Sequence, residues 1–299
     1  MPLFTARGWI VLVVLAAATG ASATLMTTPP VTTAPVARCA QESGSAPPEP
    51  LPTLTEVRPT PPEPPPILTD DELVAATLSI APNARIGIVI VDRQTELRIL
   101  SLNADRQFPS ASLVKLLIAL DVLSREPRDL AAGDAVTRML SESDDAIASR
   151  LWVAGGGGEL VRRWATKLDL TGTEPPSVPG QWGATSTTPN DVARIYQFVL
   201  SELGADHREL IVNALSSAPR RAADGFDQHF GIPRAFEHPW AIKQGWSSTP
   251  AAIAVHSTGL VGPGWRYLVV MLTEHPRSAS WDAGADAVTA GLTALTPLV

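Results

Sequence analysis

Residues 108–123 have the sequence FPSASLVKLLIALDVL, in which a short turn leads into a continuous apolar run. Ser112 and Lys115 stand three positions apart where that run begins. Residues three apart share one face of a helix, so the Lys115 amine can reach the Ser112 hydroxyl near the positive end of the helix dipole. This is the arrangement of a nucleophile and its base, provided that burial or a nearby positive charge lowers the pKa of Lys115. An S-x-x-K spacing alone also occurs by chance at helix starts whose lysine is exposed.

Two more short motifs follow in order along the chain. Residues 143–145 (SDD) lie between two predicted helices, and residues 243–246 (KQGW) lie on a predicted strand near the carboxyl end. A glycine in such a strand lets a substrate backbone approach closely, and the lysine offers a charge to a carboxylate. Each motif alone is weak evidence for an active site. Their order, and their placement on a helix start, an interhelical loop and a late strand, argue against coincidence.

The surrounding pattern predicts a mixed α+β fold, in which an antiparallel sheet of about five strands is flanked by helices and accompanied by a helical subdomain. Helical periodicity dominates from Ser112 to Leu203, and a closing helix is expected from Ser280. The strands are bounded by turn residues and are expected at Arg85–Asp92, Glu96–Leu102, Trp240–Trp246, Ala251–Val261 and Trp265–Thr273.

Residues 1–26 predict a signal peptide or a membrane anchor. Arg7 precedes an apolar stretch over residues 9–18, and small residues then offer a cleavage position after Ala23. No charge falls within residues 8–37, so the segment is also long enough to remain as a membrane span of about 20 residues. Both alternatives predict that the rest of the chain is extracytoplasmic, either secreted or anchored to the outer face of the cytoplasmic membrane.

Residues 27–68 predict a disordered Pro/Thr-rich linker, because 13 of the 28 prolines fall there and large apolar residues are few. The single cysteine, Cys39, lies in this segment. A lipid anchor on it would need a lipobox directly after the apolar core, whereas the charged Arg38 precedes it. The domain of residues 69–299 is expected to begin at a helix capping box, Thr69–Glu72.

Composition narrows the function classes. The net charge is −7 and no run of Lys or Arg is present, so nucleic acid is not an expected partner. The five histidines show no metal-ligand spacing, and the domain contains no cysteine. We therefore expect neither a metal nor a cofactor.

The three motifs resemble the S-x-x-K, S-D-N and K-T-G set of class A β-lactamases and penicillin-binding proteins. The resemblance extends over residues 72–298, and the SDD and KQGW variants are similar to those of actinobacterial exported or lipoprotein-type β-lactamase-like proteins. It implies a β-lactamase or DD-peptidase-like fold. It also implies a serine hydrolase that forms an acyl-enzyme with β-lactams or with D-alanyl peptides of peptidoglycan.

The resemblance also implies roles for individual residues. Ser112 would be the nucleophile, Lys115 its base and Ser143 a proton relay to the leaving group. Lys243 would bind the substrate carboxylate, and the backbone N–H groups of Ser112 and Trp246 would form the oxyanion hole, whose donors stabilise charge that develops in the transition state.

Two substitutions in the late motifs depart from the family pattern. Asp145 stands where the family usually has Asn, so a substrate carbonyl would lose a donor and the charged form of Lys115 would be favoured. Gln244 replaces Thr or Ser; its amide could donate to a carboxylate, but its length would crowd the cleft beside Gly245. The spacing of 31 residues from Ser112 to Ser143 is also short for the family, which indicates that one helical excursion is missing.

The loop that follows Leu168 predicts weak deacylation. The position of the deacylating glutamate of class A enzymes falls on Gly172, and the nearest carboxylate is Glu174. Without a carboxylate that activates water, an acyl-enzyme would form and persist. Two functions therefore remain open at this point: an acylating hydrolase, or a catalytically silent member of the fold that binds cell-wall peptide or a protein partner.

Overall fold

The computed structural model of the protein describes residue 75 and residues 83–125, 130–237 and 239–299. These residues belong to one compact unit, Pro61–Val299. The predicted signal or anchor, the linker and the capping box at Thr69 lie outside the described residues. Within the described part of the chain, no helix combines the length and apolar character that a membrane span requires.

A five-stranded antiparallel sheet forms the middle layer. Its strands are β1 (Arg85–Asp92), β2 (Leu97–Leu102), β5 (Trp240–Ser248), β6 (Ala252–Val261) and β7 (Tyr267–Pro276). They lie in the order β2-β1-β7-β6-β5. A separate ribbon pairs β3 (Phe108–Pro109) with β4 (Ser186–Thr187). The strand β5 that carries the KQGW motif is therefore an edge of the large sheet.

Eight α-helices surround the sheet within the described residues. They are α1 (Lys115–Leu123), α2 (Leu130–Ser141), α3 (Asp145–Ala154), α4 (Gly158–Leu168), α5 (Pro189–Ser201), α6 (Ala205–Ser216), α7 (Ile232–Ala235) and α8 (Trp281–Thr293). Short 3-10 turns are found at Ala111–Val114, Trp182–Ala184, Pro263–Trp265 and Thr296–Leu298.

The strand β1 shows why the sheet lies between two helical layers. Alternate side chains of a strand point to opposite faces. Ile86, Ile88 and Ile90 pack into a core with residues of α8, whereas Val89 and Val91 pack into the larger core formed with α1 to α6. A strand that is buried on both faces needs an apolar residue at almost every position, as the sequence RIGIVIVD provides.

The predicted mixed α/β fold with its five-stranded antiparallel sheet is confirmed. The boundaries differ by a few residues. Glu96 lies at φ 60° in the turn before β2, and β7 begins at Tyr267 because a 3-10 turn ends at Trp265. Ser280 caps α8, since its side chain accepts a hydrogen bond from the Ala283 N–H at 3.1 Å.

Candidate active site

Ser112 lies in the tight 3-10 turn that precedes α1, and its side chain is buried. The preceding residue, Ala111, has a left-handed φ of 48°, which is costly for a residue with a side chain. A Cβ on Gly245 of β5 would lie 3.2 Å from the Ser110 carbonyl oxygen and 3.3 Å from the Ala111 Cβ. The glycine of the third motif therefore lets the edge strand pack directly against the turn that holds Ser112.

Lys115 is fully buried and lies among four oxygen atoms. Its Nζ is 2.9 Å from Ser112 Oγ, 3.0 Å from Ser143 Oγ, 2.7 Å from the Ser143 carbonyl oxygen and 2.5 Å from Asp145 Oδ1. The Trp182 ring lies on another side, with its centroid 5.0 Å from Nζ. An ammonium group has only three hydrogens, so these four acceptors compete for Lys115.

Ser143 connects the two buried lysines. Its Oγ lies 3.0 Å from Lys115 Nζ and 3.0 Å from Lys243 Nζ. Ser143 adopts a left-handed φ of 54° in the bend between α2 and α3, which directs its side chain toward both amines. The structure thus brings together Ser112, Lys115, Ser143 and Lys243 from three separate motifs.

Burial lowers the pKa of both lysines. Desolvation lowers the pKa of Lys115 below its usual value, against the opposing charge of Asp145. The pKa of Lys243 lies well below its usual value because of its burial and then the neighbouring charge of Lys115. A lowered pKa raises the fraction of neutral amine at a given pH, and a neutral amine is what a lysine base requires.

Asp145 is the first residue of α3, and 64% of its side chain is exposed. Its ion pair with Lys115 therefore joins a solvated carboxylate to a buried amine. Asp144, the residue before it, caps α3 by accepting a hydrogen bond from the Ile147 N–H at 2.9 Å. The two acidic residues of the second motif have different tasks, since one fixes the helix start and the other holds the lysine.

Gln244 is buried, and its side-chain amide binds backbone carbonyls. Its Nε2 donates to the carbonyl oxygens of Gln228 at 3.1 Å and Phe230 at 2.7 Å. Gln228 is buried as well and donates to the carbonyl oxygens of Ser141 at 2.9 Å and Pro219 at 2.7 Å. We call these two side chains the glutamine clasp. It joins the strand of Lys243 to the end of the helix that leads into Ser143, and both amide hydrogens of Gln244 are taken by the protein.

Trp246 is half-buried and lies two residues after Gln244, on the same face of the strand β5. Its ring stacks on Phe226 with centroids 4.7 Å apart, and its Nε1 donates to Asp224 Oδ2 at 2.9 Å. The ring centroid lies 5.9 Å from Lys243 Nζ. Asp224 belongs to the loop after α6, which is tied to the second motif because the Ala223 N–H donates to the Glu142 carbonyl at 2.8 Å.

Glu174 does not join the buried network. It is exposed and pairs through its backbone with Ser186 of β4. It lines a surface depression together with Arg162, Ala165 and Thr166 of α4, and neither Ser112 nor Lys115 lines that depression.

Gly172 has no room for a side chain. A Cβ there would lie 2.2 Å from Thr188 Cγ2. Asp191 holds this part of the loop, since its Oδ2 accepts hydrogen bonds from the Gly172 N–H at 2.9 Å and from Thr173 Oγ1 at 2.7 Å. The loop is therefore closed by its own contacts at the position where class A enzymes are expected to carry a glutamate.

Asp224, Gln228, Trp182 and His256 also lie beside this network, although none of them belongs to the three motifs. His256 of β6 is buried beside Gly245; its Nε2 lies 2.7 Å from the Pro109 carbonyl and its Nδ1 accepts from the Thr273 N–H. Burial lowers its pKa to about 4, so it supports the nucleophile turn as a neutral ring. No short motif marks these residues, because their partners are distant in sequence.

Residues 71–130 and 123–294 match the model described as the Beta-lactamase enzyme family. The chain belongs to this beta-lactamase enzyme family. The resemblance that the three motifs carry is thereby confirmed for most of the domain.

Curated relatives include proteins named "Putative lipoprotein LppW" from Mycobacterium tuberculosis and Mycobacterium bovis. Each is 34% identical over 209 residues, which cover 66% of this chain and 65% of the relative. The chain thus spans slightly less than two thirds of the length of these relatives.

Solved structures of β-lactamases have the same fold. A β-lactamase from Sphaerobacter thermophilus matches with a TM-score of 0.60 and 20% identity, over 76% of this chain and 97% of that one. A β-lactamase from Xanthomonas campestris matches with a TM-score of 0.61 and 16% identity, over 77% and 98%. An acyl-enzyme complex of PBP-A with penicillin G gives a TM-score of 0.57 and 16% identity, over 77% and 96%.

Proposed function

We propose that this protein is an exported serine acyl-transferring hydrolase in which Ser112 forms an acyl-enzyme with D-alanyl peptides or β-lactams. The observation that carries the proposal is the position of the Lys115 Nζ, 2.9 Å from Ser112 Oγ and 3.0 Å from Ser143 Oγ in a buried site. A base and a relay at hydrogen-bond distance are what nucleophilic catalysis by a serine requires.

Acylation would pass one proton from Ser112 through Lys115 and Ser143 to the leaving group. Ser112 Oγ forms a bond to the acyl carbon as its proton passes to the neutral Lys115 amine. The bond from the acyl carbon to the leaving nitrogen breaks, and that nitrogen takes the hydroxyl proton of Ser143. Lys115 then returns a proton to Ser143, whose Oγ lies at 3.0 Å. Lys243 stabilises the negative charge that develops on Ser143 during the transfer, since its Nζ is also at 3.0 Å.

We further propose that deacylation is slow. Glu174 is exposed in a separate depression, and Gly172 cannot carry a carboxylate without a clash. Among the described residues, Asp145 is the carboxylate within hydrogen-bond distance of Lys115, and it is engaged there in an ion pair. The proposed behaviour is therefore that of a penicillin-binding protein, which retains its acyl group.

The proposal includes a location in the cell envelope. Its support is the apolar amino-terminal segment of residues 9–18 and the name of the relative LppW, which describes a lipoprotein. We propose that residues 1–26 direct export or anchor the chain, that residues 27–68 act as a spacer, and that residues 69–299 form the catalytic domain.

The test is covalent labelling of the full chain with a fluorescent penicillin, followed by intact mass measurement, with Ser112→Ala as the control. We expect an adduct that depends on Ser112 and decays slowly. Rapid turnover of nitrocefin would contradict the slow deacylation but not the acylation.

A catalytically silent, peptide-binding protein is the second candidate. The Asp145–Lys115 ion pair favours it, because a carboxylate at 2.5 Å stabilises the protonated lysine and so weakens the base. Absence of any adduct across the pH range, together with measurable binding of a cell-wall peptide, would establish this alternative.

A further inference from the structure

The carboxylate-binding side of the cleft differs from what the motif K-T-G would provide. The position of the Thr or Ser hydroxyl is occupied by Gln244, whose two amide hydrogens are bound by the carbonyl oxygens of Gln228 and Phe230. The Lys243 Nζ donates to Ser143 Oγ and to the Gln244 carbonyl oxygen at 3.1 Å, and Lys243 is fully buried. Few donors on this side are left for an anionic group of a substrate.

A negative charge lies beside the same side of the cleft. Asp224 is exposed, and its Oδ2 accepts the indole hydrogen of Trp246 at 2.9 Å, which fixes the carboxylate next to the third motif. The stack of Trp246 on Phe226 holds the indole in turn. Burial lowers the pKa of Lys243, whereas the charges of Asp145 and Asp224 raise it. The charge of Asp224 therefore acts on the buried amine.

We infer that Asp224 is a specificity-determining residue, and that the site takes acyl donors whose leaving group is cationic or uncharged in preference to those whose leaving group carries a carboxylate. This inference rests on the proposed function of Ser112, because it concerns the substrate of that reaction. Asp224 supplies the negative charge, and the Trp246 indole holds that carboxylate in place with a hydrogen bond of 2.9 Å.

Simple electrostatics gives the size of the effect. A fixed carboxylate about 6 Å from a substrate charge in a solvated cleft changes the relative rates of a cationic and an anionic substrate about tenfold. The preference should weaken as salt is added, since the charges face solvent.

The experiment measures thiol release from two N-acetyl-D-alanyl thioesters, one of thiocholine and one of mercaptopropionate. In each case Ser112 Oγ takes the acyl group, the carbon–sulfur bond breaks and the leaving sulfur is released as the thiol. The ratio of the two kcat/KM values is compared between the wild-type full chain and Asp224→Asn. That variant keeps an oxygen for the Trp246 indole and removes the charge.

The matched control is Asp134→Asn, which removes an exposed carboxylate on α2 that does not affect the pKa of either lysine. The inference predicts that the cationic-to-anionic ratio falls about tenfold in Asp224→Asn, and not in the control. Equal ratios in wild type and Asp224→Asn, with release that depends on Ser112, overturn the inference and leave the proposed function standing. Absence of Ser112-dependent release from both thioesters, together with absence of a penicillin adduct, overturns both.

Discussion

Four side chains on the acylating side of the cleft, Ser112, Lys115, Ser143 and Lys243, form a continuous buried network with contacts of 2.9–3.0 Å. The loop of residues 169–188 is tightly packed at Gly172, where its polar contacts hold the loop itself, and its Trp182 ring is the part that approaches Lys115. Gly172 lies against Thr188 there. Tight packing therefore does not by itself make a region reactive, because only the first region directs its polar groups toward one reacting atom.

The largest effect is expected from removal of the base. Lys115→Met keeps an apolar chain of similar length but cannot accept the Ser112 proton. We expect the rate of penicillin acylation to fall by about 10²–10⁴-fold. Stopped-flow or gel measurement of adduct formation tests this, and thermal unfolding of the same variant establishes that it is folded. An unchanged acylation rate would show that the buried network does not activate Ser112.

The packing of the opposite loop is tested by Gly172→Ala. The added methyl group would lie 2.2 Å from Thr188 Cγ2, so either the Thr188 side chain or the backbone must shift. We expect the free energy of unfolding to fall by about 1–3 kcal/mol, measured by urea denaturation. Gly204→Ala is the control, because nothing lies within 4 Å of its Cβ position. Equal stability of the two variants would show that the loop at Gly172 accommodates a methyl group without loss of stability.

The charge of Asp145 should slow the acylation of Ser112. Asp145→Asn removes the carboxylate that raises the pKa of Lys115. The pKa of Lys115 then falls further, more of the amine is neutral near pH 7, and acylation should rise about tenfold for each unit of the fall. The pH profile of the acylation rate should keep its shape while its rising limb moves to lower pH. A limb that stays in place or moves to higher pH contradicts the base role of Lys115.

The smallest effect is expected at Glu174. Its carboxylate is exposed beside α4 in a depression that Ser112 does not line. We expect Glu174→Gln to leave the lifetime of the penicillin adduct unchanged in a mass-spectrometric time course. A markedly longer lifetime would assign Glu174 to water activation and would remove the contrast between the two regions.

The sheet could be predicted because its signals are local. Continuous apolar runs such as residues 85–92 and the turn residues between them define strands, and the observed ends differ by only a few residues. The proximity of Ser112, Ser143 and Lys243 was predicted from the resemblance of three motifs to a known family. Each motif alone is too short to support that prediction. The roles of these residues in catalysis remain predictions.

The surroundings of the network could not be predicted, for a physical reason. The direction of the Gln244 side chain depends on which carbonyls of residues 228–230 lack partners, and that is decided by a loop without periodicity. The position of Asp224 depends on the stack between Trp246 and Phe226, residues separated by a turn and a short helix. Contacts of this kind arise from the packed tertiary structure and leave no mark in a local pattern.

The glutamine clasp has a consequence for how this site could change over generations. Replacement of Gln244 by threonine, a single step toward K-T-G, would remove both donors from the buried carbonyls of Gln228 and Phe230. An unsatisfied buried polar group costs about 1–3 kcal/mol. The benefit of a new hydroxyl thus depends on earlier rearrangement of the Gln228 loop. We therefore expect positions 228 and 244 to be epistatic, with a change in the Gln228 loop preceding a hydroxyl at position 244.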